Sequence, residues 1–157
     1  MKNVYDWIVK EHKAFKGLLE ELVAANPDNI KKRLRLFNKF VKNFVAHETA
    51  EEKTLFQVMK HNRMAKQATL KALEWHQSIH HTVSDLTNTE PSDRAWLSKM
   101  LVAKENIIEH MKAEEETVLD FLKKVFEKAR IEQISSAFHY IEDRELDTES
   151  TAAYESE

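Results

Sequence analysis

One pattern occurs twice along this chain and constrains what it can fold into: His12 followed by His47-x-x-x-Glu51, then His76 followed by His110-x-x-x-Glu114. The two halves superimpose with a shift of 63 or 64 positions, and the flanking residues repeat as well. HKAFKGLLEEL from His12 lies over HQSIHHTVSDL from His76, and HETAEEKTLFQVM from His47 lies over HMKAEEETVLDFL from His110. A repeat of this length, apolar at helical spacing, reads as two helical hairpins packed together. Its duplicated His and Glu residues read as a ligand set for two metal ions.

The 157 residues contain one Gly and two Pro, which leaves little material for turns or sheets and predicts an all-α domain of long helices. The first helix is expected from about Tyr5 to Ala25, ending at the Asn26-Pro27-Asp28 turn. The second is expected from about Asn29 to Lys60, the third from Met64 to Thr87, and the fourth from Ser92 to Phe126. The turn between the second and third, His61-Asn62-Arg63, is the weakest, whereas Pro91 marks the clearest break. Ile131, Ile134, Phe138 and Ile141 predict a short fifth helix lying on the bundle. Residues 1–145 then form one bundle domain, and the acidic, small residues 146–157 are expected to be a disordered tail.

The repeated polar residues fall on the apolar stripes. Phe37, Phe40, Phe44, His47, Glu51, Leu55 and Val58 advance in steps of three and four, as do Met100, Ala103, Ile107, His110, Glu114 and Val118. His12 lies between Ile8 and Phe15, and His76 between Leu73 and Ile79. All six polar residues therefore face inward. A lone inward His is usually a core residue with a backbone partner. Two inward carboxylates with no Arg or Lys near them on these stripes are another matter, because unpaired buried charge costs several kcal/mol or more. Metal ions would supply the missing positive charge. With no Cys in the chain, that metal must be held by nitrogen and oxygen, which suits iron, manganese or zinc. The ferritin-like Glu-x-x-His spacing and the zincin H-E-x-x-H motif are both absent.

In these residues the chain resembles the hemerythrin-like (HHE cation-binding) domains. Their pattern H … H-x-x-x-E … H … H-x-x-x-E is met by His12, His47, Glu51, His76, His110 and Glu114, their E-E-x-x-L-F extension by EEKTLF, and its form ending in two hydrophobic residues by EEETVL. The resemblance covers about residues 4–126. It implies an up-down-up-down four-helix bundle holding two iron ions, bridged by the two Glu and an oxo or hydroxo group, with Zn or Mn as possible substitutes. It also implies reversible binding of O2, or another small diatomic ligand, at one open iron position.

His80, one helical turn after His76, is expected to coordinate the ion that His76 binds. True hemerythrins have such a His pair on the third helix, but they carry Asp five residues after the last His. This chain offers Glu114 at four and Glu115 at five, so Glu115 is an alternative ligand. Phe15, Phe44, Ile79 and Ile107 are expected to shield an O2 pocket. His61, His81, His139, Glu48, Glu52, Glu109 and Glu116 read as solvated, and Trp7, Trp75 and Trp96 as packing residues.

The formal net charge of −3, with both signs dispersed, gives no basic stripe for nucleic acid. No apolar run approaches the ~20 residues of a membrane span, and MKNVYDWIVKEH lacks a signal-peptide core. A cytoplasmic binding protein is expected, a carrier, store or sensor of O2 rather than an enzyme. The alternatives are a protein of nitric oxide or oxidative stress, one of iron–sulfur repair, or an iron-sensing module whose protein partner is unknown.

Overall fold

The structure, a computed structural model, describes residues 3–155 and the side chains of residues 3–148. It is helical throughout: α1 Val4–Ala24, α2 Ile30–Lys53, α3 Leu55–Met59, α4 Lys66–Thr87, α5 Arg94–Glu116, α6 Val118–Val125 and α7 Lys128–Glu155. Helices α1, α2, α4 and α5 form the four-helix bundle, and α7 lies chiefly along α2 and touches α1.

Short polar side chains set where the helices begin. Asn3 Oδ1 accepts from the Asp6 N–H, Asn29 Oδ1 from Lys32 and Asp93 Oδ1 from Ala95, each satisfying an otherwise unpaired donor of a first turn. The turn before α4 lacks Gly and Pro, but Asn62 replaces them by accepting from the N–H groups of Met64 and Ala65.

The second and fourth expected helices are each interrupted once. The breaks fall at Thr54 and Thr117, equivalent positions of the repeat, three residues after Glu51 and Glu114. Each hydroxyl donates to the carbonyl four residues back, Thr54 to Ala50 and Thr117 to Ala113, both at 2.6 Å. The backbone departs from regular helix values there, with φ/ψ of −121°/−92° at Thr54 and −119°/−75° at Thr117. Such a back-bond competes with the helix ladder and bends it.

The fifth helix is longer than expected. Nothing between Leu146 and Glu155 is a Gly or Pro that would stop it, and α7 continues through that stretch. The disordered tail expected over 146–157 otherwise lies outside the described residues. Ile131, Ile134 and Phe138 are buried as the stripe requires. At the start of the fold, the Val4 N–H donates to Ser135 Oγ at 2.8 Å, so α7 caps the buried N-terminus of α1.

Two apolar clusters fill the bundle. One contains Phe15, Phe37, Phe40, Phe44, Ile79, Trp96 and Ile107; the other contains Val4, Ile8, Leu55, Phe56, Val118, Leu122 and Phe138. A belt of buried His and Glu lies between them along each bundle helix. Among the described residues, no helix is long and apolar enough to cross a membrane.

Candidate metal centre

The belt is built from one turn of each bundle helix. His12 comes from α1, His47 and Glu51 from α2, His76 from α4, and His110 and Glu114 from α5; all six are buried. They fall into two groups of four. His12, His47, Glu51 and Glu114 each present a ligand atom within 4.8 Å of the others, and so do Glu51, His76, His110 and Glu114. Glu51 and Glu114 belong to both groups. Two groups that share two carboxylates could hold two cations side by side.

The distances converge accordingly. His47 Nε2 lies 2.6 Å from Glu51 Oε1, and His76 Nε2 lies 3.3 Å from Glu51 Oε2. Glu114 Oε1 is 3.4 Å from His12 Nε2, and its Oε2 is 3.4 Å from His110 Nε2. The Nε2 atoms of His76 and His110 face each other at 3.1 Å.

Few of these approaches have the alignment of a hydrogen bond. All four carboxylate oxygens of Glu51 and Glu114, and both ring nitrogens of His12, are buried without a hydrogen-bond partner. Native proteins rarely leave so many buried polar atoms unsatisfied in one place. A pair of divalent cations would satisfy them, so the donor set fits a bridged di-metal centre of nitrogen and oxygen ligands.

Protons respond to the same crowding. Burial opposes charge on His47, yet Glu51 and Glu11 outweigh it and hold the ring well above the ordinary imidazole range. Burial likewise opposes charge on His76, where Glu114, Glu51 and Glu52 prevail. Burial would raise the Glu114 carboxyl, but His12, His76 and His110 keep it well below the carboxylate range. His110 goes the other way. Burial, reinforced by the His76, His12 and His47 rings against the pull of Glu114, pushes it down to about 4. Cations entering the belt would displace the protons on these rings.

Outside the belt, carboxylates orient the rings. Glu11 Oε2 is 2.9 Å from His47 Nδ1, and Glu52 Oε1 is 2.9 Å from His76 Nδ1. Glu115 Oε2 is 3.4 Å from His12 Nδ1. Glu11 and Glu52, as hydrogen-bond partners, fix the tautomer that presents Nε2 to a metal, whereas Glu115 is not aligned for a hydrogen bond with His12. From α7, Glu142 accepts from the Trp7 indole N–H at 3.0 Å and packs beside Glu11, and Phe138 meets the His47 ring edge-on at 6.1 Å. His110 is backed differently, by the Trp75 indole at 6.0 Å between centroids.

Six of the seven expected ligands are thus brought together, and His80 is not. Its side chain is 52% exposed at the rim, with Nε2 2.8 Å from Glu48 Oε2, and it belongs to neither group of four. Of the two alternatives on α5, Glu114 faces both groups while Glu115 stands behind His12. Phe15, Phe44, Ile79 and Ile107 are buried as an apolar layer beside the belt.

Two expectations about the surroundings change. Glu48, read as solvated, is 1% exposed, because α4 passes over it and supplies His80. His139 is half-buried, its ring 5.1 Å from Trp7. Glu11 and Glu142 were not singled out, although Glu11 directly precedes the inward His12 and Glu142 directly follows the stripe residue Ile141, the signal that could have found them.

The comparisons with known proteins agree with this geometry. The family model of the hemerythrin HHE cation-binding domain matches residues 3–122. A crystal structure of a hemerythrin HHE cation-binding domain-containing protein from Mycobacterium kansasii superimposes with a TM-score of 0.84 at 19% identity, covering 94% of this chain and 90% of that one. A comparison with curated proteins finds no match.

Proposed function

The chain belongs to the hemerythrin HHE cation-binding domain family, and from that premise we propose that it is a non-haem di-iron protein that binds O2 reversibly as a carrier, store or sensor. In this reading His12 and His47 would hold one ion and His76 and His110 the other, with Glu51 and Glu114 available to both. One observation carries the proposal: two four-residue groups share two buried carboxylates, none of whose oxygens has a hydrogen-bond partner. When bound, the iron pair supplies the electrons and the coordination position that a diatomic ligand needs.

The protein's own part is to hold and to shield. Glu11 and Glu52 orient imidazoles from outside the belt, and Glu115 lies behind His12. Phe15, Phe44, Ile79 and Ile107 give a small apolar ligand a dry layer next to the ligands and keep bulk water from that side.

The test is metal analysis of the purified protein, together with its visible spectrum before and after O2 reaches the reduced form. Two irons per chain and a stable band that disappears when O2 is removed are expected. Rapid irreversible oxidation would favour the stress or repair alternative, and a colourless zinc protein would overturn the di-iron reading.

A further inference from the structure

The end of the bundle formed by the α1–α2 and α4–α5 turns gathers positive charge where a helix least favours it. The first turn of α2 contains Lys31, Lys32 and Arg33 and no acid, and α5 likewise begins on Arg94 with no acid in its first turn. A helix N-terminus is itself positive, so it stabilises acids and disfavours bases. Between the two turns lies a recess of about 420 Å³ whose lining includes Asp28, Arg33, Ser92, Asp93 and Arg94.

Arg33 adds a second cost. It is 3% exposed, and a buried charge is expensive unless an opposite charge and hydrogen bonds compensate it. Its Nη1 donates to the Pro91 carbonyl, and the guanidinium lies over the Trp96 ring at 4.7 Å from the centroid. These contacts tie α2 to the α4–α5 turn, yet Nε is buried with no hydrogen-bond partner. Among the described residues, no carboxylate comes within 4.0 Å of the Arg33 nitrogens. The two acids of the recess do not supply the missing charge, because Asp28 is exposed and Asp93 Oδ1 caps α5 by accepting from the Ala95 N–H.

We propose that this recess binds the phosphate group of a small soluble molecule, held by Arg33 and Arg94 between the N-termini of α2 and α5. A guanidinium presents its N–H donors in a fixed fork that matches phosphate oxygens, and the two helix ends add dipoles of the favourable sign. Ser92 contributes a hydroxyl at the exposed rim. Arg33 and His47 lie 14 residues apart on α2, so at ~1.5 Å per residue the recess is roughly 20 Å from the metal belt. The site stands independently of the di-metal reading.

Titration of the full chain with inorganic phosphate tests this, followed by the NMR resonances of the Arg33 Nε–H and of the Ile30 and Arg94 backbone amides. All three should shift and saturate together with a Kd of about 1 mM, while sodium chloride at the same ionic strength should leave them in place. Arg94→Ser, a change at an exposed residue, should weaken binding about tenfold. Arg33→Lys keeps the charge but loses the fork, and should abolish the saturable shift of the two amides. If Arg33→Lys does not fold, wild type and Arg94→Ser still decide the matter. No saturable shift of the Arg33 Nε–H, an equal response to chloride, or an affinity unchanged in either variant overturns the proposal. Each of those results leaves the di-metal reading standing, because no readout depends on the belt.

Discussion

His47 and His110 occupy the same position of the repeat, each four residues before a shared carboxylate, yet they meet opposite surroundings on their outer faces. Behind His47 stands Glu11, beside it Glu142 of α7, and the Trp7 indole N–H ties the cluster together. Behind His110 stands Trp75, which packs on the ring. Among the described residues, no carboxylate approaches its Nδ1 within 4.0 Å. Burial then outweighs the pull of Glu114 at His110 and is overruled at His47, so one ring is pushed down to about 4 and the other is held well above the imidazole range. The difference teaches that duplication fixes where ligand atoms point, while the residues behind them set how basic each ligand is. Two ions in such a belt would be alike in donor atoms and unlike in donor strength.

The most severe way to break the comparison is to remove what the halves share. Glu51→Ala or Glu114→Ala should abolish binding of both ions, whereas Glu52→Ala or Glu116→Ala should leave two per chain; metal analysis after desalting reads the result. If all four variants hold equal metal, the bridging assignment is lost. Next in size is removal of the ions. At metal about 100-fold above Kd, binding adds about 2.7 kcal/mol, equivalent to roughly 5–10 °C in Tm for a domain of this size. A melting curve unchanged after chelation, with metal loss verified, would contradict it.

A pH titration of the metal-free protein sharpens the contrast between halves. His110 should stay neutral down to about pH 4, while His47 should remain protonated above its ordinary value of 6.5. The signs for stability differ as well. The raised His47 stabilises the fold fully below pH 6.5 and loses that contribution as pH rises through its folded value. The depressed His110 destabilises the fold as pH falls from 6.5 toward about 4, because the unfolded chain takes up the proton first. Imidazole carbon resonances follow each ring, and two rings titrating together near the ordinary value would erase the distinction. The smallest expected effect is at the backing residues. Trp7→Phe deletes a hydrogen bond to a largely buried carboxylate and should cost about 1–2 kcal/mol in denaturant unfolding. Trp75→Phe, which keeps an aromatic ring on His110, should cost less, and equal costs would mean that the two backings are interchangeable.

Much of this architecture is legible in the residue order. Steps of three and four place His12, His47, Glu51, His76, His110 and Glu114 on core stripes, and the structure brings those six into one belt. What the order hides is chemistry between helices distant in sequence. Glu48 looks like its solvated neighbours until α4 is laid across it, and Glu142 lies 131 positions from Glu11. His80 has the spacing of a ligand, but its ring is drawn to the rim by the buried carboxylate of Glu48. The interruptions at Thr54 and Thr117 could have been read from the repeat, since the same residue recurs three places after each bridging Glu. Helical periodicity alone cannot register a hydroxyl that bonds its own backbone.

The bond from the Val4 amide to Ser135 has a consequence in time. It closes a span of 131 residues, and the contacts of Phe138 and Glu142 around His47 lie just beyond it. A chain emerging from the ribosome at about 5–20 residues per second has all six belt residues available once Glu114 is out, but it lacks the backing of His47 until α7 follows. For the interval of a few seconds in which α7 is still being made, the half of the belt containing His110 is already complete, and the half containing His47 waits for the far end of the chain.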